Sequence, residues 1–444
     1  MHRTRPGTSC SSLLWARWEK ISSRNKKRVV LIEAASGKTW TAAELNASVA
    51  ALGETLGIYS PGVKIAFCLP NGPAWMALFL TLQQWGLVAV PLDASLPEKA
   101  CLELARALRC HALFVNGTLH PLENGRKAGG ACCIKVTSGT SGGRPKSVLC
   151  RAQHLIADGT NIIRTMGIRP TDRNLAAIPL GHSYGLGNFV LPLILLGTPV
   201  VCAGNFVPRQ LVEWIATHQV TVFPSVPAIY RVLASMPGDG TLAPLRLPIS
   251  AGAPLTAEVA QAFHARYGLK IRNFYGSSET GGICYDRRGD ATLSGRSVGK
   301  PLNGVEVTIK DNALTVQSAA VAKPGGHWKT PDRGEWNAQG EITLLGRTGR
   351  EVNIGGKKVH PAEVEVALRS ITGVSDALVL LTPQNGRILV HAAVETRLKL
   401  ADLQRALAAK LPEWKFPKNY LLLPELPRSS RGKIDIAALR KLVK

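Results

Sequence analysis

The chain has 444 residues and a formal net charge of +24, with 45% hydrophobic and 19% charged residues. That length suits two or three domains, and the balance is that of a folded chain, which excludes a disordered one. The excess of Lys and Arg suits an anionic partner such as a nucleotide, coenzyme A, an acidic carrier protein or a membrane surface, or simply a solvated basic exterior. Because the basic residues are spread along the chain and no recognition module with interleaved aromatics stands out, nucleic acid is not an expected partner. The nine cysteines form no CxxC pair and no Cys/His metal spacing, so a reducing cytoplasm is expected. The longest apolar run, 189–203, is interrupted by Pro192, Gly197 and Pro199 and falls short of the ~20 residues of a membrane helix. The run 11–15 is too short for a signal-peptide core, and a soluble protein without an integral membrane segment is expected.

In chain order, Thr41 followed by Glu44 has the spacing of a capping box and opens a helix through Leu45, Val49, Leu52 and Leu56. Residues 63–67 read as a buried strand, 73–85 as an apolar helix and 88–92 as the next strand. Strands alternating with helices imply a parallel sheet covered by helices. Cys132 and Cys133 fall in or near a further strand, which Ile134 and Val136 lead into the segment VTSGTSGGRPK at 136–146. That segment holds the hydroxyls of Thr137, Ser138, Thr140 and Ser141, the glycines Gly139, Gly142 and Gly143, and then Arg144, Pro145 and Lys146. Glycine lets the backbone approach a bulky anion, hydroxyls and free N–H groups donate to phosphate oxygens, and lysine adds a mobile positive charge. This is the chemistry of a triphosphate cradle. Its spacing is not that of a helix-opening Walker loop, because Pro145 precedes Lys146.

The alternation continues with strands at 175–178, 199–201, 220–223 and 271–274 and helices at 211–218 and 257–267. Three motif-like stretches lie among them: IPLGHSYG at 178–185, SAGAP at 250–254 and NFYGSSET at 273–280. Residues 186–196 contain no acidic side chain. Tyr184, Leu186, Phe189 and Val190 offer an apolar wall. From 296 to 345 the pattern turns to short strands with Gly and Asn turns, a small antiparallel lobe that holds Thr330, Pro331 and Asp332 and ends at Gly346 and Arg347. The remainder reads as a separate α+β domain. It has helices at 361–371 and 400–411 and strands at 376–381 and 388–395 around a Gln384-Asn385-Gly386 turn, and it ends in LPRSSRGKID at 426–435.

These six segments, in this order, resemble the motifs of the adenylate-forming superfamily: acyl-CoA and aryl-CoA synthetases, peptide-synthetase adenylation domains and beetle luciferases. The resemblance covers nearly the whole chain. It implies an α/β fold with a large N-terminal domain, residues 1–347, of parallel-rich sheets, helices and a small antiparallel lobe. A small mobile α+β domain, 348–444, would follow and turn about Gly349. It also implies that Thr137, Ser138, Gly139, Thr140, Ser141, Gly142 and Lys146 bind the phosphates of ATP. Gly252 and Ala253 would cradle adenine, Asn273 would meet its amino group, and Tyr275 and Gly276 would pack on the nucleotide. Ser278 would reach the α-phosphate, Asp332 both ribose hydroxyls, and Arg347 the ribose and phosphate. Glu279 would hold Mg²⁺, a hard ion that prefers oxygen ligands. His182, Tyr184 and Ser250 would line the acyl pocket, with His182 a wall near the substrate carboxylate and not an acid–base group. Lys433 would bridge that carboxylate and the α-phosphate. The catalytic set is thus Lys433, His182 and Glu279.

Some positions depart from the family pattern: Ser147 stands where Gly is usual, Ser278 where Thr is, and Pro331 where Gly is. Gly349 replaces the usual Asp or Lys of the hinge, and Asn353 stands where luciferase-like members have a lysine used in thioester formation. The expected activity is ATP-dependent activation of a non-amino carboxylic acid, fatty or aromatic, as acyl-AMP with release of pyrophosphate. The acyl group would then pass to a thiol, that of coenzyme A. The alternatives are loading of an acyl carrier protein or a non-catalytic relative that keeps the nucleotide site.

Overall fold

The computed structural model describes residues 11–137, 146–204, 206–237, 241–347, 352–354, 357–359, 361–384, 387–429, 432 and 434–442. A nine-stranded sheet has six parallel strands at its centre, in the order Arg272–Ser277, Leu247–Ser250, Val222–Ser225, Asn174–Ala176, Val200–Cys202 and Val29–Glu33. Gly281–Tyr285 and Lys300–Pro301 extend one edge antiparallel, and Thr39–Thr41 closes the other. A second sheet of six strands is built on the parallel strands Ala112–Val115, Lys64–Cys68, Val88–Pro91 and Cys133–Thr137. Thr118–Pro121 and Lys146–Cys150 fold back antiparallel onto its two ends.

Helices fill the space between these sheets. The helix Pro73–Gln84 opens with Pro at its first turn, where no N–H partner is lost, and is buried from Trp75 to Gln83. A helix apolar all round must be covered on every side. One core accordingly mixes Leu31 and Val200 of the first sheet, Ile65, Phe67 and Ala89 of the second, and Trp75, Met76 and Phe79 of this helix. The capping box forms: Thr41 N–H donates to Glu44 Oε2 at 2.7 Å, and Glu44 N–H to Thr41 Oγ1 at 3.2 Å. It starts the helix Ala42–Leu56. The apolar run 189–203 divides between a π-helical turn Leu186–Val190, a short helix Leu191–Leu196 and the strand Val200–Cys202. Among the described residues no helix is long and apolar enough to cross a membrane.

The antiparallel lobe has four strands, Glu306–Lys310, Ala313–Gln317, His327–Trp336 and Ile342–Arg347, paired in sequence order. The C-terminal α+β domain pairs Val374–Gln384 with Arg387–Thr396, and the latter with Asn419–Leu423 in parallel. The helices Pro361–Arg369 and Leu400–Ala408 close its core on Val379, Val390 and Val394. The strands and helices expected from the sequence thus form, with ends shifted by a few residues. The expected turn at 385–386 and the pivot Gly349 lie outside the described residues.

The two parts meet at Gly346, whose φ is +111°. A Cβ there would stand 1.9 Å from the Cβ of Ala362 in the helix Pro361–Arg369. Gly346→Ala is therefore expected to destabilise this junction by about 2–4 kcal/mol, from overpacking and a disfavoured backbone. Thermal unfolding should show a lowered Tm, and an unaltered Tm would mean that helix and strand do not meet this closely.

Candidate active site

Three parallel strands, Val222–Ser225, Leu247–Ser250 and Arg272–Ser277, deliver most of the motif residues at their carboxyl ends. Open α/β sheets bind ligands at such ends. Ser225 and Ser250 pair in register on adjacent strands and are fully buried. Neither hydroxyl has a hydrogen-bond partner among the described residues. Gly252 comes two residues after Ser250; a Cβ on it would stand 3.7 Å from Val226 Cγ1.

In the next strand Tyr275 is partly buried and reaches the antiparallel lobe. Its hydroxyl donates to Asp332 Oδ2 at 2.6 Å. Burial, then the charge of Asp332, pushes the Tyr275 phenol well above its ordinary pKa, so it remains a donor. Arg347 lies opposite Asp332 in strand register and donates from Nε to Asp332 Oδ1 at 2.7 Å. Burial opposes the Arg347 charge, but the Asp332 carboxylate outweighs it and raises the pKa of the guanidinium. Asp332 is 7% exposed, and each of its oxygens keeps a second lone pair for a further donor. Pro331 leaves this clamp in place, and the Asp332 N–H donates to Thr330 Oγ1 at 3.2 Å.

Gly276 follows Tyr275 where the strand Gly281–Tyr285 passes close by: a Cβ would come within 2.5 Å of the Gly281 carbonyl oxygen. A side chain there would push Tyr275 and Ser278 apart from their partners. Ser278 and Ser183 share a hydrogen bond of 2.8 Å between their hydroxyls, which ties the segment 273–280 to the segment 178–185. Glu279 is half-buried and its carbonyl accepts from Ala322 N–H at 2.8 Å. Its carboxylate lies close enough to act electrostatically on both Arg347 and Cys150. Arg347 belongs to the Asp332 clamp and Cys150 to the strand Lys146–Cys150, the outgoing arm of the Ser/Gly-rich loop. Among the described residues no group of three His, Cys, Asp or Glu side chains could hold a metal ion. A lone carboxylate suits Mg²⁺, which takes one or two carboxylates beside substrate phosphates and water.

The segment 178–185 is set by a residue the sequence did not single out. Asn71, in the six-stranded sheet's loop, donates to the carbonyls of Ala176 and Ile178 at 3.0 and 2.9 Å and accepts from Leu180 N–H at 2.9 Å. His182 Nε2 then lies 3.9 Å from Asp93 Oδ2, longer than a direct hydrogen bond. Asp93 follows the strand Val88–Pro91 and was likewise not singled out. Tyr184 turns its hydroxyl inward, to the carbonyls of Ser225 and Ile249 at 3.3 and 3.0 Å. Leu186, Phe189 and Val190 are fully buried in the core between the sheets, so they back the segment and present no open wall.

The Ser/Gly-rich loop is a connection between antiparallel neighbours: Thr137 pairs with Lys146. Ser138, Gly139, Thr140, Ser141 and Gly142 lie outside the described residues, as do the side chains of Thr137 and Lys146. Lys433 lies outside them too, as does the side chain of Asn353. Its neighbour Gly432 is described: a Cβ there would stand 3.0 Å from Val226 Cγ2 and 3.7 Å from Ala228 Cβ. Val226 therefore separates Gly252 from Gly432, and the C-terminal loop rests beside the strand ends. Ser250 and Asn273 pair in register on adjacent strands, and Tyr275 and Arg347 meet on Asp332.

The AMP-binding enzyme family matches residues 18–131 and 118–325. A feruloyl-CoA synthase from Amycolatopsis sp is 27% identical, over 91% of this chain and 94% of its own length. A benzoate–CoA ligase from Thauera aromatica is 26% identical, over 93% and 92%. In fold the chain is similar to ATP-bound MatB from Rhodopseudomonas palustris, with a TM-score of 0.83 at 21% identity, covering 97% of this chain and 98% of MatB. A fatty acyl CoA synthetase from Mycobacterium tuberculosis has a TM-score of 0.73 at 19% identity, covering 97% and 98%. With six motifs in order and the family matched over most of its length, this chain belongs to the AMP-binding enzymes, the adenylate-forming superfamily of acyl- and aryl-CoA ligases.

Proposed function

We propose that this protein activates an aromatic carboxylic acid with ATP and passes the acyl group to coenzyme A. The observation that carries the reading is the clamp of Tyr275, Asp332 and Arg347, standing beside Ser278 at the carboxyl ends of three parallel strands. A carboxylate held rigidly at both oxygens, with a lone pair to spare on each, is suited to the two hydroxyls of a ribose. The substrate carboxylate oxygen forms a bond to the α-phosphorus as the bond to the β-phosphate breaks, and its electron pair leaves with pyrophosphate. Lys433 sits one residue beyond Gly432 and supplies positive charge where negative charge gathers. Glu279 would hold Mg²⁺, which neutralises charge on the phosphates when bound. In the second step a thiolate sulfur attacks the acyl carbon and AMP departs with the electron pair of the broken C–O bond.

The names of the relatives support an aromatic acid: feruloyl, benzoate and 3-hydroxybenzoate. Two buried serine hydroxyls without partners, Ser225 and Ser250, favour an acid with a polar substituent, since an unpaired buried hydroxyl is costly. A carrier-protein thiol is the second reading; the net charge of +24 would attract an acidic carrier. The test is pyrophosphate release over benzoic, hydroxybenzoic, hydroxycinnamic, fatty and amino acids, with and without coenzyme A. Release is expected with aromatic acids, hydroxylated ones above their parents, and a thioester on adding coenzyme A. A thioester formed only with a phosphopantetheinylated carrier favours the second reading. Silence with every acid, while ATP still binds, rejects both.

A further inference from the structure

The C-terminal domain carries a buried array of charge that the reaction just described does not use. Asp376 and Glu395 face each other across the hairpin of Val374–Gln384 and Arg387–Thr396. Like charges directly opposite one another destabilise a sheet unless a cation stands between them. Arg428 does so: its Nη2 donates to Asp376 Oδ2 at 3.0 Å and to Glu395 Oε2 at 2.8 Å. Burial works against the guanidinium charge, but the two carboxylates hold its pKa above the ordinary value. Asp376 is held further by Arg369, from Nε at 2.9 Å.

Arg428 also begins the loop that ends at Lys433. It pairs with Ile434 in an isolated bridge, Asp435 N–H donates to the Pro427 carbonyl at 2.7 Å, and Gly432 N–H donates to the Ser429 carbonyl at 2.9 Å. From Nη1, Arg428 donates to the Gly432 carbonyl at 3.3 Å, the peptide that joins Gly432 to Lys433. The base of the lysine loop is thus fastened to the Asp376–Glu395 pair.

The free oxygen of that pair faces the other domain. Arg231, on the helix Pro227–Ser235 that follows Val226, reaches across: its Nη1 donates to Glu395 Oε1 and its Nη2 to the Ser375 carbonyl at 3.0 Å. Glu395 is 3% exposed, so this contact is shielded from water, where a charge-assisted hydrogen bond keeps its strength. One carboxylate is therefore shared by an arginine of each domain, and the second of these holds the lysine loop.

We infer that Arg231 is a positioning residue for the adenylation step. Through Glu395 and Arg428 it fixes the Lys433 loop against the strand ends around Val226. It has to let go of Glu395 before the C-terminal domain can turn and the thiol can enter. The inference rests on the functional reading above for its catalytic part, and on the hydrogen-bond geometry alone for the contact itself.

The test uses the full-length protein with Arg231→Ala and Arg231→Lys, benzoate and benzoyl adenylate. It has two arms. Benzoate-dependent pyrophosphate exchange reads adenylation; thioester formation from benzoyl adenylate and coenzyme A reads the second step. In Arg231→Ala the exchange rate should fall about tenfold or more, as for the loss of charge-assisted hydrogen bonds. Thioester formation should hold or rise, and Arg231→Lys should restore part of the exchange. Equal losses in both steps, or unaltered exchange, overturn the positioning role. Hydrogen exchange of the peptides spanning 226–235 and 426–435 needs no turnover: it should quicken in Arg231→Ala, and unchanged protection overturns the contact. Wild-type protein that is silent in both reactions with every acid of the panel defeats the functional reading and the catalytic part with it, while hydrogen exchange still decides the contact.

Discussion

Replacing Lys433 with alanine should lower adenylation by about a hundred- to a thousandfold, the usual effect of removing one preorganised charge from a transition state. ATP binding should change little, because the clamp proposed for the ribose is built from Tyr275, Asp332 and Arg347 and not from the C-terminal loop. The lysine follows Gly432, which packs within reach of Val226 and Ala228 beside the strand ends. Thioester formation from a supplied acyl adenylate should be spared, since the carboxylate and α-phosphate are already joined. Pyrophosphate exchange measured beside that second step separates the two. Undiminished exchange in Lys433→Ala would remove the lysine from the chemistry.

The second large effect is expected at Asp332. In Asp332→Ala the phenol of Tyr275 and the guanidinium of Arg347 both lose their acceptor at one stroke. Hydrogen bonds to a charged group contribute about 1.5–3 kcal/mol each, so nucleotide affinity should fall by about ten- to a hundredfold, with a loss of stability as well. Asp332→Asn keeps the shape but gives up the charge and one acceptor, and should fall between the two. Calorimetric titration with ATP checks this, with Tm followed alongside. Unaltered affinity in the alanine variant would show that the ribose lies elsewhere and that Pro331 has carried the motif out of the cleft.

What could be read from the sequence was whatever is local. The capping box at Thr41 and Glu44 is three residues apart, and it forms. The alternation of apolar strands and helices has a period short enough to see, and both parallel-rich sheets follow from it. The motifs around Tyr275 and Asp332 are each legible, but their meeting is not: 57 residues separate Tyr275 from Asp332. Asn71 was missed for the same reason. It acts on residues more than 100 positions away, and one asparagine in a loop gives no periodic signal. Tyr184 is a further case: an aromatic beside a glycine-rich turn reads as a wall, and nothing local shows that its hydroxyl donates to carbonyls in the core. Arg428 stood inside a noticed motif, yet only the hairpin register explains it, because two carboxylates placed opposite each other require a cation.

Arg231, Arg369 and Arg428 face Glu365, Asp376 and Glu395, three positive groups against three negative ones. Only Arg231 belongs to the N-terminal side. If the domains part there, the balance is broken: the departing face keeps two arginines for three carboxylates, and the cation left behind stands alone in a chain that is otherwise strongly basic. Separation therefore works against a Coulombic restoring force that salt screens little while the contact is buried and more strongly once the faces have parted. Ionic strength becomes a handle on the resting arrangement of the molecule, one that can be turned without touching a single atom of the residues proposed to hold the nucleotide.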